Sequence, residues 1–430
     1  MTYDEAIHFL YNQLPAFERQ GAGAYKPGLQ TSRDLDRLFG HPHQAYRIIH
    51  VAGTNGKGSV AHLIAAALQL SGYRVGLYTS PHIVDFRERI RVDGQMIGRE
   101  AVTDFLQRYL AMGYEGHPTF FELTSTMAFE YFRQQQVDVA VVEVGLGGRL
   151  DSTNIVTPVL SVITNISLDH TQFLGSTLAQ IAGEKAGIIK PHVPVVIGEA
   201  GDAAVHQVFE AKARQEQAPI TFADELPLIT GSQPNSDCLM LKSQELDIFT
   251  CQLGGEYQAR NANTVLWALR LLTVKAGLHI TRDAVRQAFA HVCQVTGLIG
   301  RWQQLREQPR VICDSGHNVG AFRWITRQLS SVPHWRLRMV LGFMADKDVD
   351  AVLALLPSDA AYYFTQADSQ RAMRSEDLRL KAQAHGLQGT SYPDVMAAYQ
   401  AALADARSDD LIYVGGSMYV LADLLSNVAP

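Results

Sequence analysis

The sequence predicts an α/β protein: a P-loop mononucleotide-binding domain on a mostly parallel sheet, followed by a smaller Rossmann-like α/β domain. Three observations carry that expectation. Apolar, β-branched runs alternate with helical stretches, the order that a parallel sheet with helices on both faces requires. A glycine-rich turn, HVAGTNGKGSV at 50–60, lies between such a run and an apolar helix. A second strand–helix series begins near residue 297, after the turn-rich TGLIGRW. The boundary is therefore expected within 294–300, giving an N-terminal ATPase domain at 1–296 and a C-terminal domain at 297–430.

Taken in order, the N-terminal MTYDEAIHFLYNQL reads as an amphipathic helix and not as a signal peptide. Strands are expected at 46–52, 74–78, 137–144, 159–166 and 193–197, with helices at 60–70, 119–135 and 177–187. The stretch 200–255 is less regular and reads as peripheral strands and loops, and helical signal resumes at 259–276. The second series has strands at 310–313, 338–342, 361–365 and 411–414. Its helices are expected at 320–330, 349–356, 375–385, 393–404 and 418–428.

Bulk properties narrow the function. The chain has 430 residues, 47% apolar and 19% charged, as an ordinary soluble enzyme does. A net charge of −6 gives no basic field for nucleic acid, though small anionic substrates remain compatible with it. No run approaches the length of a membrane span. Cys238, Cys251, Cys293 and Cys313 form no C-x-x-C pair, which suggests reduced thiols in a cytoplasmic protein.

The glycine turn departs from the usual G-x-x-x-x-G-K-[ST] phosphate loop, because Gly58 separates Lys57 from Ser59. Its physics is nevertheless that of an anion site. Gly53, Gly56 and Gly58 allow close backbone approach, and the following helix presents its N-terminus. Lys57 adds a positive charge and Ser59 a hydroxyl. A bound triphosphate also calls for a divalent cation with hard oxygen ligands. Ser80, Glu143 and His170 fall near the carboxyl ends of expected strands, where ligands collect in open parallel sheets. Glu143 ends a very apolar strand, where a bare carboxylate is costly; a cation or a buried basic partner would each account for it.

GTNGKGS, YTSPHIVDFRERI, EVGLGGRLDSTNI, SLDHTQFLG and GEKAGIIK occur in that order, preceded by YKPGLQ at 25–30. GRW at 300–302, CDSGHN at 313–318 and GFMADKD at 342–348 follow. Over nearly its whole length the chain resembles the folylpolyglutamate synthases and bifunctional dihydrofolate synthases, relatives of the Mur ligases. The shortened G-K-G-S loop is that family's own spelling.

The resemblance implies ATP-dependent amide formation between dihydropteroate or reduced folate and L-glutamate, through an acyl phosphate. It implies ATP contacts from Thr54, Asn55, Gly56, Lys57, Gly58 and Ser59. Two Mg2+ ions would be held by Ser80, Glu143, His170 and a carbamylated Lys185. Lys57, Glu143, His170 and Lys185 form the implied catalytic set. Without the family, Lys185 reads as a plain helix-surface lysine. Asn261 matches the adenine-binding asparagine, Arg301 and Asp314 match phosphate and ribose contacts, and His317 assists them.

Phe120, Phe121 and Glu122 fall where the family meets the pterin or its benzoate, although plain core packing also explains the aromatics. Leu150 and Asp151 belong to a glycine-rich loop expected to be mobile beside the substrate. Ser315 and Val319 replace the family's alanine and proline. The implied enzyme is a cytoplasmic monomer with no nucleic-acid or membrane partner. Two other readings remain: a Mur-type cell-wall ligase, for which the 52 residues before Gly53 are short, and a non-catalytic nucleotide switch.

Overall fold

The computed structural model describes residues 1–16, 26, 28–235 and 237–428; Tyr25 and Pro27 of the YKPGLQ motif lie outside them. Met1–Ser232, Leu241–Thr250 and Gln258–Leu298 form one compact unit, and Gln233–Met240, Cys251–Tyr257 and Ile299–Pro430 a second.

In the first unit, α1 (Tyr3–Asn12) opens on a capping box between Thr2 and Glu5 and buries Ala6 and Leu10, the expected amphipathic pattern. Then come α2 (Gln30–Leu38), β1 (Arg47–Ala52), α3 (Lys57–Leu70) and β2 (Val75–Tyr78). A hairpin of β3 (Ile90–Val92) and β4 (Gln95–Met96) leads to α4 (Arg99–Ala111) and α5 (Phe120–Gln134). The series continues with β5 (Val139–Glu143), β6 (Leu160–Ile163), α6 (Thr171–Leu174), α7 (Leu178–Ala186) and β7 (Val195–Ile197). It ends with α8 (Ala203–Gln215) and β8 (Ile220–Phe222).

The eight strands lie in the order β4-β3-β2-β5-β1-β6-β7-β8. All neighbours in the order from β2 to β8 are parallel, and the β2–β3 and β3–β4 pairs at the other edge are antiparallel. β1 is therefore central and, beyond Arg47, wholly buried. α3 is buried continuously from Gly58 to Leu68, which is why its sequence is apolar there apart from Ser59 and His62. It packs against two later helices, α9 (Gln258–Ala276) and α10 (Arg282–Thr296), once the chain has passed a three-stranded sheet. That sheet, with order β11-β10-β9, comprises β9 (Ile229–Asn235), β10 (Cys238–Ser243) and β11 (Asp247–Cys251).

Several helices were not expected, α2, α4 and α6 among them, and two others show why. α8 occupies part of the stretch read as strands and loops. Asp202 caps it by accepting from Ala204 N and Val205 N, and Val205, Phe209 and Ala213 recur every fourth residue on its buried face. The cap and the period were present in the sequence but lay in a stretch read for its turns. α10 was not expected at all, although Thr281 caps its start and Gly297 ends it in the left-handed conformation.

The second unit contains β12 (Gln303–Glu307), β13 (Arg310–Asp314), α11 (Val319–Ser331), β14 (Leu337–Leu341) and α12 (Val349–Leu353). β15 (Ala361–Phe364), α13 (Ser375–Ala384), β16 (Gly389–Ser391), α14 (Val395–Asp405), β17 (Leu411–Gly415) and α15 (Met418–Asn427) complete it. Its sheet runs β12-β13-β17-β14-β15-β16, parallel apart from the β12 edge. Phe322, Met339, Phe343 and Tyr413 lie in its core.

An ion pair is embedded in that unit. Arg338 Nε donates to Asp410 Oδ2 at 2.8 Å, and its other nitrogens donate to Tyr363 Oη at 2.7 Å and to the Asp405 carbonyl at 2.5 Å. Arg338→Met would leave the Asp410 carboxylate buried without its cation. We expect a loss of about 3 kcal/mol, read as a lower urea midpoint for this unit.

Candidate active site

β1 ends in the middle of the sheet, and the chain turns at once into α3. Gly53 takes φ 145° and Gly56 φ 82°, a region that favours glycine. Space is absent too: a Cβ on Gly53 would collide with Thr164 Oγ1, and one on Gly56 with Asn261 Oδ1. Gly56→Ala should therefore weaken ATP binding about tenfold or more, measurable by titration calorimetry, because the turn must change shape to accept a methyl group.

The loop is tied to the exit of β6. Thr54 N donates to the Asn165 carbonyl at 2.9 Å, and Asn55 N to Asn165 Oδ1 at 3.0 Å. Thr164 Oγ1 and Asn165 Nδ2 both donate to the Asn55 carbonyl, at 2.6 and 3.0 Å. Beyond the turn, the N–H groups of Lys57, Gly58 and Ser59 open α3, where the helical ladder has no preceding carbonyl for them. Lys57 Nζ curls back to the Thr54 carbonyl at 3.1 Å. Ser59 is buried, and its Oγ accepts from Gln258 Nε2 at 3.1 Å; Gln258 Oε1 in turn accepts from Asn261 Nδ2 at 2.8 Å. Asn261 thus reaches the loop both directly, at Gly56, and through Gln258.

The other candidates lie along the same sheet edge. Glu143, 3% exposed at the end of β5, accepts from Ser80 N beyond β2 at 3.0 Å. His170 follows β6 with φ 49° and caps α6, its ring Nε2 3.9 Å from Asp169 Oδ1. β2, β5, β1 and β6 are consecutive in the sheet, so Ser80, Glu143, the glycine turn and His170 all lie beyond neighbouring carboxyl ends. Among the described residues, no three His, Cys, Asp or Glu side chains close into a metal cage. Glu143, the Ser80 hydroxyl and the His170 imidazole each carry a donor atom of a type that binds divalent metal.

Lys185 overturns the reading made from residues alone. It is 4% exposed, on the buried face of α7 with Ile181 and Ala182, and its Nζ donates to the Gly53 carbonyl at 2.8 Å. Among the described residues it has no ion pair. Burial, followed by repulsion from Lys57, lowers its pKa to about 7, while Asp169 and Asp151 act in the opposite sense.

The glycine-rich segment 145–151 is pinned, where a mobile loop was expected. Asp151 Oδ2 accepts from Gly145 N and Leu146 N at 3.0 and 2.9 Å. Arg149 N donates to the Glu184 carbonyl at 2.8 Å. A Cβ on Gly148 would fall 2.8 Å from that carbonyl, and one on Gly187 would collide with Arg149 Cα. These glycines give close packing on α7 in place of freedom. Both Asp151 oxygens are occupied by the protein, since Thr153 supplies two donors to Oδ1. Leu150 is half-buried.

Phe120, Phe121 and Glu122 occupy three different settings. Phe120 is a core residue, its ring 5.0 Å from that of Tyr11 and under the Arg89 guanidinium. Phe121 is half-buried and lies against Gly145, where a Cβ would meet its ring. Glu122 closes the capping box of α5, accepting from Thr119 N at 2.8 Å.

In the second unit, Asp314 ends β13. Its Oδ2 accepts from Trp302 N at 2.7 Å and Tyr257 Oη at 2.8 Å, and its Oδ1 from Gly316 N at 2.8 Å. Arg301 donates to Ser315 Oγ and to the Gly300 carbonyl, so the serine that departs from the family pattern takes a polar contact. His317 Nδ1 lies 3.2 Å from the Ser315 carbonyl. Val319 is the first residue of α11, capped by Asn318, a position that also accepts proline.

The sequence reading missed Gln258, Thr164 and Asn165. Gln258 precedes Asn261 by one helical turn, a spacing that puts both on one face, but nothing in the sequence directs that face to the glycine loop.

The family description "Mur ligase middle domain" matches residues 51–269, and "Mur ligase, glutamate ligase domain" matches 300–418. The dihydrofolate synthase/folylpolyglutamate synthase of Bacillus subtilis is 33% identical over 93% of this chain and 94% of its own. A probable bifunctional folylpolyglutamate synthase/dihydropteroate synthase of Haloferax volcanii is 35% identical over 98% of this chain. The chain spans only 50% of that relative's length. Among solved structures, E. coli FolC in complex with DHPP and ADP has a TM-score of 0.84 at 30% identity, covering 99% of this chain and 97% of that one. A bifunctional folylpolyglutamate synthase/dihydrofolate synthase with Mn, AMPPNP and L-glutamate bound has a TM-score of 0.79 at 30% identity, covering 94% of each chain.

Proposed function

The chain belongs to the dihydrofolate synthase/folylpolyglutamate synthase family of the Mur ligases, and we propose that it joins L-glutamate to dihydropteroate and to reduced folate, using ATP. The observation that carries this reading is the sheet edge itself. A glycine turn with Lys57 and Ser59 stands beside Glu143 and Ser80, so a phosphate site and an anionic donor set share one face.

The chemistry follows from what these groups can do. A substrate carboxylate oxygen attacks the γ-phosphorus of ATP, forming an acyl phosphate and releasing ADP. The glutamate amine then adds to the acyl carbon, and the tetrahedral species collapses to amide and inorganic phosphate. Positioning and charge neutralisation supply most of the acceleration in such transfers. Lys57 and the N-terminus of α3 hold the phosphates and offset charge gathering on them. Thr54, Asn55, Gly56 and Gly58 shape the cradle, and Gln258 fixes the Ser59 hydroxyl.

Glu143, Ser80 and His170 would hold divalent metal, two Mg2+ ions in our reading. When bound, Mg2+ supplies positive charge to the phosphate oxygens. We assign Lys185 as carbamylated: a buried amine with no ion pair among the described residues becomes, on taking up CO2, an oxygen ligand. Asn261 would meet adenine, and Arg301, Asp314 and His317 phosphate and ribose. Phe121 and Leu150 are the better placed substrate contacts. Phe120, Glu122 and Asp151 would act through the shape they give the neighbouring backbone. We assign the enzyme to the cytoplasm, as a monomer acting on small molecules.

Glutamate-dependent phosphate release tests the assignment, run with dihydropteroate, tetrahydrofolate and a UDP-muramoyl peptide, with magnesium and bicarbonate present. Turnover with both pterins is expected. Turnover with the muramoyl substrate alone would move the chain to the cell-wall ligases, and ATP binding without turnover would make it a switch.

A further inference from the structure

Behind Asp151 the first unit holds a buried polar chain, through Thr153 to His50, to which the chemistry above gives no role. His50 lies on β1, three residues before Gly53, and is 0% exposed. Its Nε2 is 2.9 Å from Thr153 Oγ1. Thr153 Oγ1 donates to Asp151 Oδ1 at 2.5 Å, and Thr153 N to the same oxygen at 3.0 Å. Asp151 Oδ2 gathers Gly145 N and Leu146 N.

The direction of this chain follows from counting protons. Three backbone N–H groups converge on the Asp151 carboxylate, making it the acceptor. Burial raises its pKa, and these hydrogen bonds oppose that rise. The single hydroxyl proton of Thr153 is committed to Asp151, so Thr153 Oγ1 takes its own hydrogen bond from His50 Nε2–H. The Nδ1 atom is then the bare nitrogen. It is buried and has no hydrogen-bond partner among the described residues. An unmade hydrogen bond in the interior costs roughly 1–3 kcal/mol. A leucine would avoid that cost, so the Nε2–H bond must return something that an apolar residue cannot.

We propose that His50 is a positioning residue for the pterin substrate, setting the 145–151 segment through Thr153 and Asp151. β1 carries both ends of the device: His50 fixes the substrate-side segment, and three residues later the same strand becomes the phosphate turn. The register places Val51 beside Glu143, so the metal-side carboxylate belongs to the same rigid block. Phe121 rests on Gly145, the first residue that the relay holds. The strand thereby sets the distance between the attacking carboxylate and the phosphate it attacks. Displacements near 1 Å at such a site cost on the order of 10²-fold in rate. Burial, with Lys190 second, lowers the pKa of His50 to about 3, so its donor does not switch across the working pH range.

The proposal rests on the pterin-ligase reading, and its test separates the two. With wild-type enzyme, glutamate ligation to dihydropteroate is measured first; its absence with every pterin carboxylate overturns the functional reading and this proposal with it. Given wild-type turnover, His50→Leu should lower kcat/KM for dihydropteroate about tenfold or more, while the KM for ATP moves less than about twofold. His50→Gln, which returns an N–H near the Nε2 position, should recover to within about threefold of wild type. Thr153→Val should reproduce the leucine result and Thr153→Ser should not. Equal losses in His50→Leu and His50→Gln, a matching rise in the KM for ATP, or a lower melting temperature with unchanged kinetics would overturn the proposal. Failure of both His50→Leu and Thr153→Val to fold would assign the relay to stability alone and overturn it as well.

Discussion

Lys57→Ala should lower kcat by about 10²–10³-fold, the loss typical of removing one preorganised charge from a developing anion. The side chain has little other work. It is half-buried, and its Nζ donates to the Thr54 carbonyl within its own turn. Folding should therefore survive, with circular dichroism and melting temperature close to wild type. The loss should appear in the chemical step, visible as a smaller burst of acyl phosphate in single-turnover experiments. Lys57→Arg should not restore activity, because a planar guanidinium cannot occupy the point that a compact ammonium fills. Full activity in Lys57→Ala would remove the glycine turn from catalysis.

Lys185→Ala is the second large effect. The alanine variant should lose at least about 100-fold in activity, since even outer partners of a metal site cost 10–100-fold. The cause can be separated from simple packing. If the working group is a carbamate, acetate or another short carboxylate at millimolar levels should enter the space and restore part of the rate. An amine acting only on the Gly53 carbonyl would be restored by alkylamines and not by carboxylates. Intact-protein mass measured under bicarbonate gives an independent readout, as a gain of one CO2 that Lys185→Ala lacks. Rescue by amine alone would keep Lys185 as a brace for the phosphate turn and remove the carbamate.

The alternation of strand and helix, the central β1 and the glycine turn were legible in the sequence because each rests on local chemistry. An apolar β-branched run, positive-φ glycines and a mostly apolar helix each specify their own structure. Glu143 was legible for a similar reason, since a carboxylate in a buried strand demands a partner wherever it falls. Lys185 was not. A lysine in a helix is usually solvated, and only the packing of α7 against the rest of the unit shows that its face is interior. Gln258, Thr164 and Asn165 were hidden because their contacts to the glycine turn span long sequence separations. Local pattern carries no signal for a partner about 200 residues away. The 145–151 segment misled in the opposite direction. Its glycines suggested freedom, whereas Gly148 and Gly187 allow backbone to approach backbone. Glycine serves both purposes, and only the neighbouring atoms tell them apart.

The central claim is that the substrate carboxylate attacks ATP before glutamate attacks the carbonyl. The most direct test is oxygen transfer. Dihydropteroate labelled with 18O in its carboxylate is turned over with ATP and glutamate, and the released phosphate is analysed by mass spectrometry. The account predicts one 18O in each phosphate molecule, with the other retained in the new amide. Unlabelled phosphate accompanying amide formation would contradict it, because the carboxylate oxygen would then never have bonded to phosphorus.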